Sequence, residues 1–228
     1  MTIHYRLTGG RSIPGHDERL EVDGGRFRLR RTTGVAVVGR FSGDLPAAAA
    51  RSVDAAADAV RGSTSLQLSM SPGASRESID ADGTRIEGDL DEAPDAWSAL
   101  VERLRDLVDR LVDAPEAAIA LEVDEDGRGA RLVHRGSTPV EVDLSETRIA
   151  VHAWQGYYEP AGSWERGPLA IDAPATAEPG WRAELPFAHD LPTGDRFSLQ
   201  VEADFAIRDD DGWRPVGAIR VPVIDPPG

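Results

Sequence analysis

The sequence predicts an α+β N-terminal domain, an antiparallel sheet with two helices, followed by an all-β immunoglobulin-like sandwich. Three observations carry this. Residues 94–113 place Trp97, Leu100, Val101, Leu104, Leu107, Val108 and Leu111 on one stripe at three-and-four spacing. The apolar period then changes to two just after Pro115. Beyond it, seven short alternating segments follow, separated by Gly, Pro and Asp-Gly pairs. The expected boundary gives domains 1–115 and 116–228. A single mixed sheet through both halves is the alternative arrangement.

In the first half, residues 3–8 alternate as a strand and stop at Gly9-Gly10. Leu20 and Val22 lead into Asp23-Gly24-Gly25, and Phe27 and Leu29 resume the alternation, which is a hairpin signal. Residues 34–41 form a further strand that Leu45-Pro46 ends. The Ala-rich run 47–61 is helical by propensity and Gly62 suits its end. Residues 66–70 alternate, and 79–86 fold back around Asp82-Gly83. Pro94 fits the first position of the amphipathic helix, with Asp95 favourable in its first turn. In the second half the expected strands are 117–124, 129–134, 139–143, 147–154, 181–187, 196–207 and 214–224. The opening strand with Gly9-Gly10 and the later long helix resemble the small protease-inhibitor domains of the emfourin kind. That resemblance covers the first 115 residues, and no residue role is carried over from it.

Composition excludes more chemistry than it suggests. The chain has no Cys and no Lys, so all 25 basic residues are Arg, and it has no Asn. Thiolate metal sites, disulfides, Cys nucleophiles, Schiff bases and the P-loop lysine are thereby excluded. Lys and Asn codons are A-rich, so their absence fits a GC-rich bacterial genome. The net charge is −15, with −4 over 1–115 and −11 over 116–228. Such a chain repels phosphate backbones and anionic bilayers, so neither nucleic acid nor membrane is an expected partner. No apolar run approaches the roughly 18 residues of a membrane helix, and the first ten residues carry no signal pattern. A cytoplasmic setting is expected.

Motifs for catalysis are missing. Gly-x-Ser-x-Gly and Gly-x-Gly-x-x-Gly do not occur. The acidic turns Asp80-Ala81-Asp82-Gly83 and Asp124-Glu125-Asp126-Gly127 fail the calcium-loop rule of Gly sixth and Glu twelfth: the first has Arg85 and Asp91 there, and the second has Gly129 but then Arg135. His4, His16, His134, His152 and His189 show no helical metal-pair spacing, and exposure is expected for His4 and His152. No cofactor and no metal are expected.

Two features point to binding. Arg26, Arg28 and Arg30 alternate with Phe27 and Leu29, so three guanidinium groups share one strand face, either solvated or offered to an acidic partner. Residues 154–165 gather Trp154, Tyr157, Tyr158 and Trp164 around Gly156, Pro160 and Gly162. This reads as an aromatic recognition loop, with core packing of the tryptophans as the alternative. The expected function is therefore a non-catalytic protein-binding or accessory module, its partner another protein or a second copy of the chain. The rivals are an enzyme using His and carboxylates in a cleft between the halves, and a protease or toxin inhibitor.

Overall fold

The structure, a computed structural model, describes residues 1–9, 16–32, 36–124, 129–155, 159–171, 175–185, 188–192, 197–209 and 212–220. The chain is mostly β, with two α-helices among the described residues. No described helix is long and apolar enough to cross a membrane. The chain divides into two compact units, Met1–Thr32 with Arg40–Glu116, and Thr33–Gly39 with Ala117–Gly228.

In the first unit the strands are β1 (Thr2–Thr8), β2 (Asp17–Asp23), β3 (Arg26–Thr32), the end of β4 (Val37–Asp44), β5 (Leu66–Gln67), β6 (Arg76–Ala81) and β7 (Thr84–Gly88). Their order in the sheet is β4-β3-β2-β1-β6-β7-β5. Strand β5 runs parallel to β7, while β1–β2, β2–β3, β1–β6 and β6–β7 are antiparallel pairs. The β2–β3 hairpin turns on Gly24 and Gly25 at φ 55° and 84°, a left-handed pair that side chains resist and glycine accepts. Alternation then sorts the sheet into two faces. Ile3, Tyr5, Leu20, Val22, Phe27, Leu29, Ile79 and Ile86 are buried on one face. His4, Arg6, Arg26 and Arg28 are exposed on the other.

The helices cover the apolar face. Helix α2 (Asp95–Leu111) buries the whole stripe expected from sequence, Trp97 through Leu111. It starts one residue later than expected, with Pro94 as the N-cap. Helix α1 (Ala47–Val60) buries Val53, Ala57 and Val60 and packs on α2. Arg105 of α2 reaches Glu77 of β6, which fixes α2 over the inner face of the sheet.

The second unit has two sheets. One takes β8 (Pro115–Val123), β9 (Ala130–Gly136) and β13 (Arg182–Leu185) in the order β13-β9-β8, with the first residues of β4 next. The other runs β11 (Glu159–Arg166), β10 (Val140–Gln155), β14 (Phe197–Asp209), β15 (Gly212–Arg220), and β12 (Thr176–Ala177) pairs with the start of β10. Their inner residues form one core that joins Val38, Ile119, Leu121 and Leu132 to Ile149, Val151, Val201 and Phe205. Strand β4 is thus divided, its first three residues belonging to this unit and its last five to the other.

Three sequence expectations change here. The strands expected at 139–143 and 147–154 are one strand, β10, with a register shift between Asp143 and Arg148. The Asp143 carboxylate accepts from the Ser145 backbone N–H at 2.9 Å and its hydroxyl at 2.7 Å, a local turn that reads in sequence as a break. The strand expected over 66–70 shortens to Leu66–Gln67. Residues 154–165 are not a loop where described, because Glu159–Arg166 is a strand paired with β10. Pro160 is tolerated since β11 is the last strand of its sheet, and the register shift at Ala153/Trp154 absorbs the Gly-rich sequence as a bulge.

Candidate functional site: an arginine-bearing sheet face

The uncovered face of the first unit's sheet carries the three arginines expected from sequence. Cross-strand register sets Arg26 beside Asp23, Arg28 beside Glu21, and Arg30 beside Arg19. Between them lies a depression of about 360 Å³ lined by Glu21, Asp23, Arg26, Phe27, Arg28, Ser42 and Glu116. Arg26 stands 3.6 Å from Asp44 with both side chains exposed, a pair that water and salt weaken. Arg28 is exposed and has no ion-pair partner among the described residues, although Glu21 is its neighbour in register. Arg30 is half-buried and engaged. The structure therefore separates the three, leaving Arg28 as the open guanidinium.

Its surroundings are polar and mixed in charge. Ser42 Oγ lies 2.6 Å from Glu116 Oε2, and no imidazole lines the depression to act as a base. An unpaired guanidinium can take a carboxylate by two parallel hydrogen bonds. Glu21 and Asp23 beside it would favour a ligand that also carries a positive group.

The two described tryptophans of the aromatic segment part company. Trp164 lies opposite Val151 in register, is half-buried and packs against the second unit's core. Trp154 lies on the other side of β10, in phase with exposed Arg148 and half-buried His152, and opposite Ser198. Tyr157 and Tyr158 lie outside the described residues. The two described rings, both half-buried, lie on opposite sides of their sheet, Trp154 over the buried Ser198.

The acidic turn at Asp80 serves the hairpin. The Asp80 carboxylate accepts from Gly83 N–H at 2.8 Å, and Asp82 accepts from Thr2 N–H at 3.0 Å. Of the expected exposed histidines, His4 is exposed and His152 half-buried, while His16 and His134 are buried.

One constellation went unread in the sequence. Beneath α2, the inner face of the sheet holds two buried carboxylates, Glu18 on β2 and Glu77 on β6, with Leu7 between them in register. Tyr5 donates its hydroxyl to Glu77 at 2.8 Å, and Arg105 Nε donates to the same carboxylate at 3.0 Å. Asp91 takes the other side of Arg105 at 2.8 Å. Burial and the Glu77 charge push the Tyr5 hydroxyl well above its ordinary value. Arg31 lies 2.7 Å from Glu18, and His16 lies 4.0 Å from it. Burial pushes the Glu18 carboxyl up and Asp109 adds to this, against the pull of Arg31 and His16. The one hint was a Glu at a position where alternation demands an apolar residue, at both 18 and 77. Tyr5, Glu77, Arg105 and Asp91 satisfy one another at the helix–sheet interface, whereas Arg31 Nε, though close to Glu18, makes no hydrogen bond. No family model, curated protein or solved structure matches the chain.

Proposed function

We propose that this chain is a non-catalytic binding protein that takes a segment of a protein partner, one pairing a carboxylate with a nearby positive group, on the open, Arg28-bearing sheet face of its first unit. The observation that supports it is Arg28 itself: exposed, beside a depression, and unpaired among the described residues in a chain with 40 acidic side chains. With acids so abundant, a guanidinium that stays open is suited to a carboxylate brought by another molecule. The second unit fits an immunoglobulin-like accessory sandwich, with Trp154 on its outer side as a second contact. The cytoplasm of a GC-rich bacterium suits a chain with neither Cys nor Lys.

The test is affinity capture from such a host with the wild type, Arg28→Glu, Trp154→Ala and an exposed control, Arg103→Glu. Charge reversal at Arg28 is expected to weaken capture of the same partner at least about tenfold, roughly 1.4 kcal/mol. The control should bind as the wild type does. Equal capture by Arg28→Glu and wild type would remove the sheet face from the interface.

A further inference from the structure

The outermost strand of the first unit's sheet is unlike the rest of the molecule's surface. Residues 62–75 carry no charged side chain, the longest such stretch in the sequence. This stretch holds β5, the last strand of its sheet. Edge strands are normally defended by charge, proline or bulges. The other sheet's edge, β11, has all three: Glu159, Pro160, Glu165, Arg166 and the bulge. Strand β5 carries none of these within Leu66–Gln67, and its one defence is that it is two residues long.

This edge is held firmly in place on its inner side. Leu68 N–H donates to Glu87 O at 2.8 Å, and Arg85 N–H donates to Ser65 Oγ at 3.0 Å. Ser69 Oγ donates to Glu92 at 3.1 Å. Gly88, at φ 133°, lets the segment come close: a Cβ there would lie 2.6 Å from Leu68 O. Strand alternation then turns the N–H of Gln67 the other way, towards the open edge.

The core row also runs out here. Leu29, Leu20, Tyr5, Ile79, Ile86 and Leu66 are successive cross-strand neighbours. The first five are buried, while Leu66 and Leu68 are half-buried and Met70 is exposed. Among the described residues Met70 is the exposed large apolar side chain. The apolar layer thus ends at an uncapped margin.

We infer that this margin pairs with the same margin of a second copy, β5 against β5 in antiparallel register about a two-fold axis at Gln67. Leu66 of each copy would meet Leu68 of the other, continuing the apolar row across the axis. A two-fold contact needs a self-complementary surface, and an uncharged strand is one. Two chains of net charge −15 repel as they approach, and the longest charge-free stretch is where that repulsion is least. So short a strand gives a small, reversible interface.

Sedimentation equilibrium of the full chain from about 1 to about 200 µM should show a concentration-dependent dimer. Gln67→Glu sets like charges directly opposite each other at the axis, and Gln67→Pro removes the outward N–H while the Leu68 N–H still reaches Glu87 O. Each should weaken dimerisation at least about tenfold while thermal melting shows a folded protein. A wild type that stays monomeric throughout overturns the inference and leaves the edge to some other chain. A dimer that survives both changes overturns it too, since it would use another surface. Neither outcome bears on the Arg28 reading, whose test is capture of a different molecule.

Discussion

Asp17 and Glu18 are neighbours on β2 that face opposite sides of the sheet, and their environments shift them in opposite directions. Partial burial pushes the Asp17 carboxyl up, but hydrogen bonds from Arg19 and Arg6 outweigh it and hold it below its usual 3.8. Glu18, sealed under α2, is raised by burial. The linkage signs follow. The Asp17 contribution is present above the ordinary aspartate value and is lost as pH falls through the depressed folded value. The Glu18 contribution is present below the ordinary glutamate value and is lost as pH rises through the raised one. Asp17→Asn should therefore lower stability at neutral pH, and its gap from wild type should narrow below about pH 3.8. Urea unfolding across that range checks this. A gap that stays constant with pH would mean the arginines contribute nothing through charge. Asp17 was legible as a polar position on an alternating strand. Its fork of arginines was not, because Arg6 comes from another strand.

Helix α2 is where local pattern and tertiary outcome agree most fully. Its seven stripe residues are all buried, and Leu104 has no exposed surface. Removing that side chain should cost about 2–5 kcal/mol, the transfer of its methyls plus the cavity left behind. A denaturant melt of Leu104→Ala that moved by less than about 0.5 kcal/mol would place the stripe outside the core. The β11 hairpin shows the converse. Gly156, Pro160 and Gly162 argue for a loop when taken residue by residue. An edge position and a bulge let the segment pair anyway, and that position is a property of the sheet rather than of the segment.

For the whole chain, the division into two units is not a single cut. Val38 sits in the second unit's core, and the Ala36 carbonyl accepts from Leu121 N–H at 2.9 Å. At Gly39 an added Cβ would lie 2.3 Å from Ala117 O, so the strand lies hard against β8. A fragment 116–228 lacks this strand. It should melt well below the full chain or fail to fold cooperatively, and a synthetic peptide of residues 33–44 should restore part of the loss. A fragment with full-chain stability would show that residues 36–39 add nothing to that core.

The sequence by itself determined the local elements of the first unit: two hairpins at Gly-containing turns, a helix by composition, and a helix by its stripe. It also determined which chemistries are impossible, since a missing residue type needs no structure to interpret. Alternation placed Arg26, Arg28 and Arg30 on one face before any fold was known, because side-chain direction in a strand is fixed by the backbone. Tertiary structure decided the rest. It engaged Arg30 and left Arg28 open, set Trp164 and Trp154 on opposite sides of their sheet, and joined Glu18 and Glu77 to arginines from other elements. It also sent the middle of β4 into two cores. Each of these depends on what lies across a sheet or under a helix, and contacts between residues distant in sequence leave no periodic trace along the chain.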